Sequence, residues 1–164
     1  MIAPDTVVLA RQLGERLVDK GWMFSCAESC TGGLLAAAMT ETPGSSLWFD
    51  RGVVAYSNDA KQELLRVHAD TLERFGAVSE ETAMEMAAGL LGGAPRSDFA
   101  ISTTGIAGPG GATPGKPVGM VCFGFATRSG GGVVTRAETK VFTGDRQAVR
   151  AAAVAHALTT ALNM

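Results

Sequence analysis

WMFSCAESCTGGLLAAAMT, residues 22–40, is the stretch where a strand hands over to a helix. Its first part, WMFSCAES, is apolar and small throughout and reads as a buried strand. Thr31 to Thr40 is rich in alanine and leucine and reads as a helix, with Pro43 and Gly44 ending it. Between the two sits AESCTGG, residues 27–33, where a carboxylate, a serine, a cysteine, a threonine and two glycines crowd the handover. Either the hydroxyls of Ser29 and Thr31 cap the helix, or Ser29 is a nucleophile beside free backbone N–H groups. Taken alone, the stretch favours capping, because Ser and Thr caps are common. It also departs from a GxSxG elbow, with Ala27 two before Ser29 and Thr31 two after it.

Outward from this handover, the same order repeats. Val7, Val8, Leu13, Leu17 and Val18 lie at helical spacing in a helix from Asp5 to Lys20 that Gly21 stops. GVVAYS, residues 52–57, reads as a second strand, and Ser57 or Asn58 caps the helix DAKQELLRV. A short helix follows from Ala69 to Phe75. Ser79 with Glu80 and Glu81 opens another that reaches Leu91 before Gly92 and Gly93. DFAISTTG is a third strand. IAGPGGATPGKP, residues 106–117, is too rich in Gly and Pro for regular structure. VGMVCFGFAT and GVVTRAETKVF flank a glycine turn at 129–132 as a hairpin, and Asp145 caps a last helix from Arg146 to Leu162. Alternating helices and strands followed by a hairpin predict an α/β fold. The expected form is a three-layer α/β/α sandwich with a mixed, mostly parallel sheet, in a single domain over residues 1–164.

Composition narrows the function. At 46% hydrophobic and 18% charged residues the chain is globular in type. A formal net charge of −2 supplies no field to gather nucleic acid or an anionic membrane, so neither is expected as a partner. No apolar run has the length of a membrane span and the first residues lack a signal-peptide core, which predicts a cytoplasmic protein. Cys26, Cys30 and Cys122 form no disulfide framework, and Cys26 and Cys30 do not make a CxxC pair. With only His68 and His156 besides, no metal is expected. The three thiols read as small packing residues.

If Ser29 reacts, it needs a base. His68 near a helix end and His156 in an Ala-rich helix read as surface or packing histidines. The alternative is a lysine whose pKa burial lowers. Lys61 lies in the first turns of the helix after GVVAYSN, and Tyr56 ends the strand before it. Both can reach the carboxyl edge of the sheet, where open α/β sheets bind ligands. Each is an ordinary surface or strand residue when read singly. TTGIAGPGG, residues 103–111, is a glycine-rich loop of the kind that brings N–H groups close to a phosphate. GGATPGKP imitates a P-loop, but Pro117 stands where Ser or Thr must hold magnesium and a strand follows, so a Walker-type site is excluded. Arg146 opens a helix where a cation is disfavoured, a local misfit that hints at phosphate binding.

Five segments, CAESCTGGLLAAAMTETPGSS, GVVAYSNDAKQELL, GAVSEETAMEMAAG, TTGIAGPGGATPGKPVGMV and GDRQAVR, together resemble the CinA C-terminal family of nicotinamide-nucleotide amidases. The resemblance runs from about residue 5 to 160. It implies hydrolysis of the carboxamide of nicotinamide mononucleotide to nicotinate mononucleotide and ammonia, with no cofactor. It implies Ser29 as nucleophile and Lys61 as base, directly or with the help of Tyr56. Thr31 and Gly32 would supply oxyanion donors. Ser46, Thr103, Gly105, Gly108 and Arg146 match the family's substrate-binding positions. Many relatives carry a further N-terminal domain related to molybdopterin-binding proteins, which this sequence lacks, and a homo-oligomer is implied. Glu28 receives no role beyond orienting Lys61 or accepting backbone hydrogen bonds. The competing expectation is an inactive nucleotide-binding or regulatory paralogue of the same fold.

Overall fold

A computed structural model describes residues 1–164. Helix α1 spans Pro4–Lys20 and closes on Gly21 in the left-handed conformation. Strand β1, Phe24–Glu28, is buried along its whole length. Helix α2, Leu34–Thr40, leads through a single 3-10 turn, Ser45–Leu47, to strand β2, Phe49–Val54. Helices α3 (Asn58–Leu65), α4 (Ala69–Phe75) and α5 (Glu80–Gly93) precede strand β3, Phe99–Gly105. Strands β4 (Met120–Ser129) and β5 (Gly132–Val141) form the hairpin, and α6, Arg146–Leu162, ends the fold. Ser57 rather than Asn58 caps α3, accepting from the Ala60 N–H, while Ser79 and Asp145 accept from Thr82 and Ala148. No helix is long and apolar enough to cross a membrane.

The sheet is mixed, with order β2-β1-β3-β4-β5. β1 pairs in parallel with both β2 and β3, and the hairpin adds two antiparallel strands beyond β3. From β1 the chain goes to one side through α2. From β2 it crosses to the other side through α3, α4 and α5. The order therefore reverses between the carboxyl ends of β1 and β3, the crevice where such sheets take ligands.

Strand parity then sorts the layers. Phe24 and Cys26 of β1, with Phe99 and Ile101 of β3, face the larger core beneath α1, α2 and α6. Ala27 and Ala100 face the smaller core that includes Leu65 of α3, Leu72 of α4 and Met86 of α5. Small side chains on that face let α5 lie close. At Gly124 of β4 an added Cβ would meet the Ala83 carbonyl oxygen at 2.2 Å, so only glycine fits there.

Two boundaries differ from the sequence reading, and both concern the crevice. Helix α2 begins at Leu34, not Thr31, because Gly32 and Gly33 take φ of 58° and 101° and complete a turn before it. β2 runs from Phe49 to Val54 instead of 52–57. The chain leaves the strand there because the Ala55 and Tyr56 carbonyls turn to Lys61 Nζ.

Candidate active site

Ser29 follows β1 directly, and its N–H is tied to the Thr103 carbonyl at 2.9 Å. One residue beyond Glu28, its side chain points to the opposite side, towards α3. Lys61, one turn into α3, reaches back so that Nζ lies 3.0 Å from Ser29 Oγ. Nζ also lies 3.2 Å from the Ala55 and Tyr56 carbonyls. The lysine is 1% exposed and makes no ion pair. Burial without a carboxylate partner lowers its pKa from the ordinary 10.5. The lowered pKa makes the neutral amine more accessible than it is in a solvated lysine. Nζ donates to Ser29 Oγ and to the two carbonyls, and once it has lost a proton its lone pair can turn to the Ser29 hydroxyl.

Glu28 holds the turn from below. Its Oε2 accepts from the Thr31 hydroxyl at 2.6 Å and from the Gly33 and Leu35 N–H groups at 3.1 and 3.0 Å. Oε1 accepts from the Ala36 N–H at 2.8 Å and from the Cys26 thiol at 3.6 Å. A carboxylate delivered by the preceding strand thus caps α2, where its charge complements the helix dipole. Neither Ser29 nor Thr31 is the cap, and Glu28 does not touch Lys61. Thr31 gives its hydrogen to Glu28, so the Thr103 hydroxyl donates to Thr31 Oγ at 2.7 Å. Thr31 and Thr103 are fully buried in this chain beneath the crevice and are not in its wall.

The helix N-terminus expected to hold an oxyanion is therefore filled by Glu28. The Gly32 N–H is also committed, to the Ser29 carbonyl at 3.0 Å. Two consecutive N–H groups, of Cys30 and Thr31, have no backbone acceptor, and only the Cys30 thiol lies beside the first. Buried backbone donors without partners are rare, and these two follow the Ser29 side chain immediately.

The crevice beside Ser29 has a volume of about 250 Å³. Ser29, Cys30, Tyr56, Asn58, Lys61, Thr104, Arg146 and the 105–111 loop line it, including Gly105 and Gly108. Arg146 closes one end by donating to the Gly108 carbonyl at 2.9 Å and to the Tyr56 hydroxyl at 3.0 Å. The Tyr56 ring is exposed, and its hydroxyl meets Arg146, not the Ser29–Lys61 pair; only its carbonyl reaches Lys61. Ser46 is exposed on the 3-10 turn and does not line the crevice. A larger cavity, about 540 Å³, lies between the N-terminus and α6 and shares Arg146, but neither Ser29 nor Lys61 lines it. Chemistry, not size, selects the smaller one.

Cys30 also lines the crevice, but burial pushes its thiol up to about 12, so it stays protonated at neutral pH. All three cysteines are free and buried. His68 pairs with Glu85 and His156 with Glu138, both away from the crevice. Of the two roles the sequence left to Glu28, accepting backbone hydrogen bonds is the one found, whereas sequence reading missed Arg150, which donates to the Cys30 and Thr31 carbonyls. Its one available signal was position, a second arginine four residues after Arg146 in GDRQAVR.

Comparison with known proteins gives a concordant result. The model of the CinA C-terminal domain matches residues 7–164. Nicotinamide-nucleotide amidohydrolase PncC of Enterobacter agglomerans is 53% identical over 154 residues, covering 94% of this chain and 92% of that protein. The Escherichia coli protein of the same name is 48% identical over 160 residues, covering 98% and 94%. The crystal structure of competence/damage inducible protein CihA from Agrobacterium tumefaciens superposes with a TM-score of 0.90 at 44% identity, covering 100% of this chain and 99% of that one.

Proposed function

The chain belongs to the CinA C-terminal domain family, and from that premise we propose that it is an amidohydrolase that cleaves the carboxamide of nicotinamide mononucleotide through Ser29. The observation that carries the reading is Lys61, a buried lysine without a counter-ion, 3.0 Å from the Ser29 hydroxyl.

Neutral Lys61 takes the Ser29 proton as Oγ attacks the carboxamide carbon. The carbonyl π electrons move onto oxygen, which the Cys30 N–H receives. Collapse of the tetrahedral intermediate breaks the C–N bond. The Lys61 ammonium gives its proton to the departing nitrogen, which leaves as ammonia. Water then attacks the acyl carbon with Lys61 again as base, the C–Oγ bond breaks, the proton on Lys61 returns to Ser29 Oγ, and nicotinate mononucleotide leaves. Arg146 binds the phosphate. Two of its five N–H groups are used on Gly108 and Tyr56, which leaves three for an anion. The backbone of the 105–111 loop lines the same end.

The test is ammonia release from nicotinamide mononucleotide by chelator-treated protein, beside Ser29→Ala and Lys61→Ala. Wild-type turnover reduced ~10^3-fold or more in both variants is the expected result. Near-normal turnover in a folded Ser29→Ala protein would refute the covalent path. Equal activity on free nicotinamide would remove the phosphate-binding role from Arg146.

A further inference from the structure

The turn that carries Ser29 is also held from the side of α6. Arg150 Nε donates to the Cys30 carbonyl at 3.0 Å and Nη2 to the Thr31 carbonyl at 3.1 Å. The planar guanidinium thus spans two consecutive carbonyls with one fork, and it forms no ion pair. Gly32 is its seat, since an added Cβ there would stand 3.0 Å from Nη2. The helix that brings the arginine is fixed, because its neighbours Val149, Ala153 and Val154 are buried in the core.

The Cys30–Thr31 peptide is trans, the sole cis bond being Gly108–Pro109. In a trans peptide the C=O and the following N–H point to opposite sides of one plane. Holding the Cys30 carbonyl on Arg150 therefore aims the Thr31 N–H away from α6. The preceding peptide, which carries the Cys30 N–H, is tied into the same turn by the Gly32 N–H on the Ser29 carbonyl.

We propose that Arg150 is a positioning residue that braces the turn after Ser29, and with it the Ser29 hydroxyl and the N–H of Cys30, two residues that line the crevice. This rests on the reading of Ser29 as nucleophile. Arg150 acts through the peptide and does not touch the substrate.

Arg150→Ala and Arg150→Lys are compared with wild type in two assays. One is turnover of nicotinamide mononucleotide. The other is the rate at which a fluorophosphonate labels Ser29, followed by intact-protein mass spectrometry. For Arg150→Ala, kcat and the labelling rate constant should fall together by about tenfold to a hundredfold, with KM within about threefold of wild type. Affinity for nicotinate mononucleotide should stay unchanged. Arg150→Lys should recover part of both rates, since an ammonium can hold one carbonyl. A misfolded fraction would lower the labelling amplitude and leave the rate constant alone. Unchanged rates in Arg150→Ala would overturn the proposal. So would a loss confined to KM and product affinity, which would make Arg150 a phosphate ligand. Labelling needs no nucleotide, so Arg150-dependent labelling without turnover would sink the substrate assignment and leave the positioning role standing. No labelling of wild type would overturn both.

Discussion

Replacing Glu28 by glutamine keeps the shape of the side chain and removes its charge, so it tests how the nucleophile turn is held. Oε2 receives three donors, from Thr31, Gly33 and Leu35, whereas Oε1 receives the Ala36 N–H and the weak Cys26 thiol. The amide must therefore put its oxygen at the three-donor position and its NH2 against the Ala36 N–H. Leaving that donor unsatisfied costs about 1–3 kcal/mol. The three remaining bonds pass from charge-assisted to neutral, at about 1 kcal/mol each. Relief of the burial cost of the charge offsets part of this, so the net loss is about 2–4 kcal/mol. For a chain of this length that lowers Tm by roughly 5–15 °C. Urea denaturation gives the free energy, and ammonia release gives the activity. Because the residues that lose their anchor follow Ser29, kcat should fall by about tenfold while KM stays close to wild type. A Glu28→Gln protein within about 0.5 kcal/mol of wild type, which is the size of an ordinary surface substitution, would refute the capping argument.

Lys61 gives a stability signature as well as a catalytic one. Its folded-state pKa lies below 10.5, so between that depressed value and 10.5 the unfolded chain binds more protons than the native one. Wild-type stability from this group should rise with pH across that window and level off above it, and Lys61→Met should lack the rise in urea midpoints. The neutral amine is the base, so kcat/KM should increase with pH up to the depressed pKa and then flatten; a rate that falls as pH rises from 6 to 8 would contradict this role (about two pH units suffice to see it). Tyr56→Phe removes only the hydroxyl that meets Arg146, so KM for nicotinamide mononucleotide should rise by about threefold to tenfold with kcat nearly unchanged. A large drop in kcat would restore the tyrosine to the proton path.

The regular elements were legible because their signals are local. Asp145 before Arg146, Ser79 before two acids, Gly21 after a helical stripe and the glycines at 130–132 each fix one end of an element within a few residues. The sandwich followed from their order. The second strand slipped because its last carbonyls are drawn off by a lysine from the next helix, a contact that propensity does not contain.

AESCTGG by itself offered a cap and a nucleophile, and gave both parts to hydroxyls. Only the tertiary structure divides them otherwise. β1 alternates its side chains across the sheet, so Glu28 goes under α2 and Ser29 goes towards α3. The lysine that meets the serine comes from 32 residues away, and the arginine on the Cys30 carbonyl from 120. Sequence sets which groups are available and which segments are rigid. Which of them meet is decided where the strand order reverses and the ends of β1, β3 and α3 converge, because packing the two cores on either face of the sheet leaves no other place for them.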